Sequence, residues 1–180
     1  MRRIINMFVP FELEFIHSIN LSVCFEVLKE LSIPDRAKVV KTWLHGWATS
    51  FRIKGDFLHN CLLGCADAVD SLSHYLQCPR IFGALCFLWP ETSSDPVVRC
   101  GLCAPTKISL KWVACVFSAY HATKARFRRE FEANNSVQVQ SDSLWVLFAQ
   151  SLAAEAVGGC LTRTLFNPAR FKESFGIVDS

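Results

Sequence analysis

Four residues with soft, metal-binding side chains lie close enough along this chain to constrain how one part of it can fold. Cys61 and Cys65 are separated by three residues, eight residues follow, and His74 and Cys78 are again separated by three, with Pro79 next. Three thiolates and one imidazole are a ligand set of structural zinc sites, which are tetrahedral and closed by four protein ligands. The spacing therefore predicts a small Cys3His knuckle around one structural Zn²⁺ ion.

The residues around the four ligands favour the local conformations that the knuckle needs. Gly64 permits a tight turn between the first two cysteines because it has no Cβ. The histidine and the last cysteine are four residues apart, which places them on one face of a helical turn. Asp70 and Ser71 are residue types that cap the start of such a turn, and Pro79 cannot continue it. Each half of the motif thus aims its ligands in one direction.

The alternative is that these residues fell at this spacing by chance. The chain holds nine cysteines, and a free cysteine is often a small buried hydrophobe.

His59 is a possible alternative ligand, although its position favours a surface or supporting role. An odd number of cysteines excludes a complete disulfide framework within one chain, and without a secretory signal reduced thiols are expected.

The run from about Ala37 to Leu85 resembles the cysteine-histidine zinc knuckle that follows the polymerase domain in non-LTR retrotransposon reverse transcriptases. The resemblance covers about a quarter of the chain. It departs from the family pattern by having three residues rather than the usual four between the histidine and the last cysteine. It implies a role in binding template or target RNA or DNA, and a polymerase fragment as a partner. The matching pieces are Cys61-x3-Cys65, Asp70, the run His74 to Pro79, and a basic, tryptophan-bearing helix from Arg36 to Phe51.

No catalytic set accompanies the knuckle. The chain has no Asp-Asp pair, which two-metal polymerase chemistry would need, and no glycine-rich phosphate loop. The acids near the knuckle have no basic catalytic partner at a recognisable interval; they are Asp67, Asp70, Glu91 and Asp95. We therefore expect a non-enzymatic chain, a detached or degenerate piece of such an element.

The pattern of apolar residues predicts a mainly α fold, a helical bundle-like domain with the knuckle inserted between helices. Helices are predicted over 11–31, from Pro34 through Trp47, over 79–88, from 107 to about 132, over 144–161, and after Asn167-Pro168. Prolines at 90, 96 and 105 mark a loop and a boundary. This gives an N-terminal region at 1–89 with the knuckle core at 57–80, a loop at 90–106, and a C-terminal helical region at 107–180.

Composition favours a folded protein inside the cell, nuclear or cytoplasmic. Hydrophobic residues make up 51% of 180 residues, and the net charge of +3 is too small to diagnose nucleic-acid binding alone. Glu12 and Glu14 interrupt what could otherwise be read as a signal peptide. The apolar run 144–161 carries Gln150 and Glu155, so a buried helix is expected rather than a membrane span.

Basic and aromatic residues near the knuckle and on the 107–132 helix are candidate nucleic-acid contacts. The cluster on the helix has a simpler explanation, because cations are also favoured at a helix C-terminus. The candidates are Arg52, Lys54, Tyr75, Arg80, Lys124, Arg126, Arg128 and Arg129.

Cys100-x-x-Cys103 is a second cysteine pair in the predicted loop. No second ligand pair follows at a suitable distance, because Cys115 and His121 do not share a helical face. Two loop cysteines are therefore expected here, rather than a second zinc site.

Two functions remain open. The first is a zinc-binding module that binds nucleic acid. The second is a metal-free helical domain with a structural or protein-interaction role.

Overall fold

The fold is mainly α. A computed structural model describes residues 19–53, 60–134, 141–158 and 166–177. Within these ranges there is no strand, and the one β-bridge pairs Asn60 with Val69 in antiparallel sense. The helices are α1 (Leu21–Lys29), α2 (Ile33–Trp43), α3 (Ser50–Ile53), α4 (Leu72–Gln77), α5 (Pro79–Leu88), α6 (Pro96–Arg99), α7 (Lys107–Asn134), α8 (Ser141–Gly158) and α9 (Pro168–Ser174).

Short polar side chains cap the starts of several helices. The Asn20 side chain accepts a hydrogen bond from Val23 N and starts α1. The Ser32 side chain accepts from Asp35 N to start α2. Asp95 and Asn167 do the same for α6 and α9. Each cap satisfies N–H groups that have no partner within the helix, which sets where that helix begins.

Helix α2 ends earlier than predicted. The sequence predicted a helix through Trp47, but α2 ends at Trp43. His45 is in the left-handed region with φ 59°, and Gly46 N donates to Lys41 O at 2.5 Å. These are the features of a Schellman motif, which closes a helix. A Cβ on Gly46 would lie 2.7 Å from Lys41 O, so the motif requires glycine there.

The remaining predicted helices are all found, and one of them has the predicted bounds. The helix at 79–88 matches α5, and the long helix starts at Lys107 as predicted and extends to Asn134. The buried helix predicted over 144–161 is α8, and the short last helix follows Asn167 as predicted. The helix predicted over 11–31 begins at Leu21, and residues 11–18 lie outside the described ranges. The predicted loop at 90–106 contains α6.

The long helix α7 is the centre of the packing, with α8 and α2 against it. The buried apolar residues form one continuous cluster with members on both sides of the predicted boundary at 90–106 and within it. Near the C-terminal end, Phe171 of α9 packs edge-on against Phe87 and Trp145. The knuckle therefore rests on the same core as the long helix.

No helix in the described part of the chain is both long enough and apolar enough to cross a lipid bilayer.

Candidate metal centre

The first two cysteines of the knuckle lie in the turn that the Asn60–Val69 bridge closes. Cys61 N donates to Ala68 O at 2.6 Å, and Gly64 N donates back to Cys61 O at 3.0 Å. Gly64 has φ 85°, a left-handed conformation that favours glycine. The predicted turn glycine therefore occupies the position that needs it.

The other two ligands lie on and at the end of α4. His74 is within the helix and Cys78 is its C-terminal capping residue. The Ser71 side chain accepts a hydrogen bond from His74 N at 3.2 Å and starts the helix. Pro79 begins the next helix. Ser71 and Pro79 therefore set the two ends of α4, a helix of 6 residues. Both ligands lie on one side of it.

The four ligand side chains meet. One ligand atom from each of Cys61, Cys65, His74 and Cys78 lies within 4.8 Å of every other. The sulfur atoms of Cys65 and Cys78 are 3.5 Å apart. Sulfurs bound to one tetrahedral zinc at about 2.3 Å would lie about 3.8 Å from each other. The arrangement is therefore that of a potential metal centre.

The hydrogen bond from Cys78 shifts the balance of protons among the three sulfur atoms. The hydrogen bond from the Cys78 thiol lowers the pKa of Cys61 to about 4 and is the largest cause lowering the pKa of Cys65 to about 7. The same interaction with Cys61 raises the pKa of Cys78. Three sulfurs that compete for protons favour a shared cation, because thiolate is the form that binds metal.

The histidine is also placed to bind a metal ion through its ring. Burial would lower the pKa of His74, but contacts with Cys61 and Cys65 outweigh it and raise that pKa. Its Nε2 atom is buried and has no hydrogen-bond partner among the described residues. A buried ring nitrogen without a partner costs about 1–3 kcal/mol. The residues present therefore fit a cation bound by three sulfurs and one imidazole.

A buried charge network joins the knuckle to α7. The Asp70 carboxylate is fully buried and accepts from Lys124 Nζ and Ser50 N, each at 2.7 Å. The hydroxyls of Tyr75 and Tyr120 each donate to it at 2.9 Å. Burial by itself would raise the pKa of Asp70, but the Lys124 ammonium and the other donors lower it. Asp70 is therefore a structural anchor, and the predicted cap is Ser71 alone.

Trp47 fills the space between the knuckle and the long helix. Its ring centroid lies 5.9 Å from that of Tyr75 on α4 and 4.6 Å from that of Tyr120 on α7. Its Nε1 donates to the Thr42 hydroxyl at 2.9 Å. The segment after α2 is therefore packed between the two elements that the charge network connects.

Two of the candidate nucleic-acid residues lie inside the protein. Tyr75 is 3% exposed and Lys124 is 6% exposed, and both bind Asp70. Burial and the nearby Asp70 charge also raise the pKa of the Tyr75 hydroxyl. The Tyr75 ring is not available to stack on a base, and the Lys124 charge is balanced by an internal partner.

The remaining candidates divide by their contacts. Arg80 pairs with Asp142 at 3.0 Å and stacks on the Trp145 ring at 4.1 Å, which ties α5 to α8. Arg126 pairs with Glu130 one helical turn later. Arg52 is exposed, as are Arg128 and Arg129, and Lys54 lies outside the described residues.

The second cysteine pair does not form a comparable group. Among the described residues, Cys61, Cys65, His74 and Cys78 are the one set of three or more potential ligands that converges. Cys100 is buried, and burial raises its pKa to about 12. His59, the alternative ligand, lies outside the described residues.

Sequence reasoning missed the Asp70–Lys124 pair. The two residues are 54 positions apart, and only their proximity in the fold shows that they are partners. A local signal existed for Lys124, since it lies one turn after Tyr120 on the face of α7 that carries the apolar residues. An acid in the apolar stretch before α4 was the corresponding signal for Asp70.

Comparison with known proteins does not assign the chain to a family: no family model, no curated protein and no solved structure matches it.

Proposed function

We propose that this chain is a non-enzymatic helical module that binds one structural Zn²⁺ ion and uses the resulting surface to bind RNA or DNA. We further propose that it derives from the C-terminal region of a non-LTR retrotransposon reverse transcriptase, with a polymerase fragment as a partner. The observation that supports the metal is the convergence of Cys61, Cys65, His74 and Cys78 within 4.8 Å.

The donor set favours zinc among the common metal ions. Thiolate ligands select soft or borderline ions, whereas Mg²⁺ and Ca²⁺ prefer oxygen. Four protein ligands leave no open coordination position, so the ion would act structurally. Three thiolates and one Zn²⁺ give the site a formal charge of about −1. Nearby cationic side chains would therefore be stabilised by it.

Exposed arginines support the nucleic-acid part of the proposal. Arg52 follows the Trp47 segment, and Arg128 and Arg129 lie in the C-terminal half of α7. Guanidinium groups neutralise phosphates and bind their oxygens in pairs. Lys124 and Tyr75 support the same surface indirectly, because they connect α4 to α7 through Asp70.

The first test is the metal content of the purified protein. Elemental analysis should find about one zinc per chain, and chelation should lower the melting temperature, because metal binding and folding are linked. Zinc-free protein whose melting transition does not respond to added zinc would overturn the metal proposal. It would leave the metal-free helical interaction domain as the function.

The second test is binding of the zinc-loaded protein to a single-stranded RNA and a single-stranded DNA of the same sequence across a range of salt concentrations. The logarithm of the affinity should fall linearly with the logarithm of the salt concentration, with a slope of about −0.7 for each phosphate contact. Absence of binding at low salt would leave a structural zinc knuckle only.

A further inference from the structure

An open pocket with basic walls lies beside the C-terminal half of α7. Its volume is about 380 Å³. One wall comes from α7 and the other from the segment after α2, next to the buried Trp47 ring. The pocket is lined by Ala48, His121, Lys124, Ala125, Arg128 and Arg129.

Helical geometry brings these basic residues together. His121, Lys124 and Arg128 follow one another at three- and four-residue spacing, so they form one stripe of α7. Arg126 is on a different side and pairs with Glu130. Of the four cations in the basic cluster, Lys124, Arg128 and Arg129 line the pocket. Arg126 does not.

The pocket has positive charge that no carboxylate lining it compensates. Asp70 balances Lys124, with an ion pair of 2.7 Å. Arg128 and Arg129 are both exposed. Arg129 Nε donates to Ala125 O, a neutral acceptor, at 3.3 Å. Two exposed guanidinium groups therefore line the pocket and can bind an anion.

His121 adds an unsatisfied hydrogen-bonding group to the same wall. Burial, together with the charges of Lys124 and Lys41, lowers its pKa, so the ring is neutral at pH 7. A neutral imidazole offers one N–H donor and one acceptor. Its Nε2 atom is buried and has no partner among the described residues. His121 itself lines the pocket, so it lies beside any anion held there.

We infer that this pocket is an anion-binding site that takes a phosphate group between Arg128, Arg129 and His121. Where that phosphate belongs to a nucleic-acid strand, the inference rests on the proposed function and places one of its backbone contacts; a free phosphate ion has the same chemistry. The alanines at 48 and 125 leave room for the group, since neither side chain extends into the pocket beyond its Cβ.

The test compares matched variants of the zinc-loaded protein. R128Q and R126Q remove the same charge from the same helix, but only Arg128 lines the pocket. A125E and A122E each add a carboxylate at an exposed alanine of α7, and only Ala125 lines the pocket. All four positions are on the surface, and a melting curve for each variant checks that it is folded.

Two probes are used, a short single-stranded RNA and inorganic phosphate. For R128Q the salt dependence of RNA binding should weaken by about 0.7 in slope, the loss of one phosphate contact. R126Q should keep the wild-type slope. Inorganic phosphate should move the NMR signals of the His121 ring in the wild type and in A122E, but not in A125E.

The outcomes separate the pocket from the proposed function. If the protein binds RNA, R128Q and R126Q have equal slopes and phosphate leaves the His121 signals unmoved, the pocket inference is overturned while the proposed function stands. If phosphate moves the His121 signals in A122E but not in A125E, and no RNA binds, the pocket is a site for a free phosphate. The nucleic-acid proposal then fails.

Discussion

Residues 60–78 and residues 100–103 both present cysteines from segments beside helices, but they differ in what surrounds the sulfur atoms. In the knuckle, three sulfurs and an imidazole meet, the pKa values of Cys61 and Cys65 are lowered, and a ring nitrogen has no hydrogen-bond partner among the described residues. In the loop, burial raises the pKa of Cys100 to about 12. The knuckle brings together donors of the kind that bind a soft cation, whereas Cys100 is in the environment of a small apolar side chain.

The backbone of the loop is already satisfied by its neighbours. Trp43 Nε1 donates to Cys100 O at 2.9 Å, and the Cys24 thiol donates to Gly101 O at 3.5 Å. Arg99 holds the end of α6 through Leu76 O at 2.5 Å. Cysteine spacing alone therefore does not identify a metal site; the environment of each sulfur decides between ligand and core residue.

The largest difference between the two regions should appear when one cysteine in each is replaced by alanine. Cys78 and Cys100 are both buried, at 1% and 5% exposure. We expect C78A to lose the bound zinc and more than about 4 kcal/mol of unfolding free energy, the range in which loss of a metal is a recognised cause. C100A should retain zinc and lose about 1 kcal/mol. Zinc content and denaturant titration measure both effects.

Equal losses in the two variants, with zinc retained in both, would remove the distinction between the knuckle and the loop.

The second largest effect should come from the charge network behind the knuckle. D70N leaves the Lys124 ammonium buried without its counter-ion, which costs about 3–5 kcal/mol for a buried pair. The exposed Lys29–Glu26 pair provides the control, since E26Q should cost at most about 1 kcal/mol. Denaturant titration of both variants at neutral pH gives the comparison. Similar small losses would show that the Asp70 pair does not stabilise the fold.

The same variant gives a pH test. The folded-state pKa of Asp70 is lowered, so its contribution to stability is present above the unfolded-state pKa, about 3.9. That contribution is lost as the pH falls through the folded-state value. The stability difference between wild type and D70N should therefore be constant near neutral pH and shrink in acid. A difference that grows in acid would contradict the assignment.

A smaller effect is expected from the turn that ends α6 in the loop. Gly101 has φ 65°, and a Cβ there would lie 2.3 Å from Leu110 Cδ2. Gly176 has nearly the same φ, 63°, with nothing within 4 Å of its Cβ position. G176A should cost about 1–2 kcal/mol from the backbone alone, and G101A more because of the added clash. Zinc content should be unchanged in both. Equal costs would show that Leu110 moves aside freely.

The parts of this fold that the sequence predicted are those set by neighbours along the chain. The ligand spacing, Gly64, Ser71 and Pro79 act within a few residues, and the structure places the ligands together. The helix predicted through Trp47 was too long because the apolar spacing was followed past Gly46. That glycine was the available signal for the Schellman motif.

The parts that could not be predicted depend on contacts between distant segments. Asp70 was read as a cap because its neighbours favoured one, while its partner Lys124 lies 54 residues away. Lys124 was grouped with three arginines by sequence proximity, and the fold assigns it to the interior. Burial is a property of the whole packing, so a basic run cannot be divided into anchors and surface contacts before the helices are placed.

The smallest expected effect tests whether the Ser71 cap of α4 contributes to zinc affinity as well as to the stability of the fold. Ser71 and Asn167 each cap a short helix, α4 and α9, but only α4 carries ligands. S71A and N167A should each cost about 1 kcal/mol of stability. S71A should also weaken zinc affinity about fivefold, because the free energy needed to order α4 is then drawn from metal binding.

Competition with a chelator of known zinc affinity measures this for both variants. N167A should bind zinc as the wild type does. If S71A loses stability but keeps the wild-type zinc affinity, α4 is ordered by Asp70 and Trp47 rather than by its cap. The ligands His74 and Cys78 would then be positioned by tertiary packing, and the Ser71 cap would not be needed to place them.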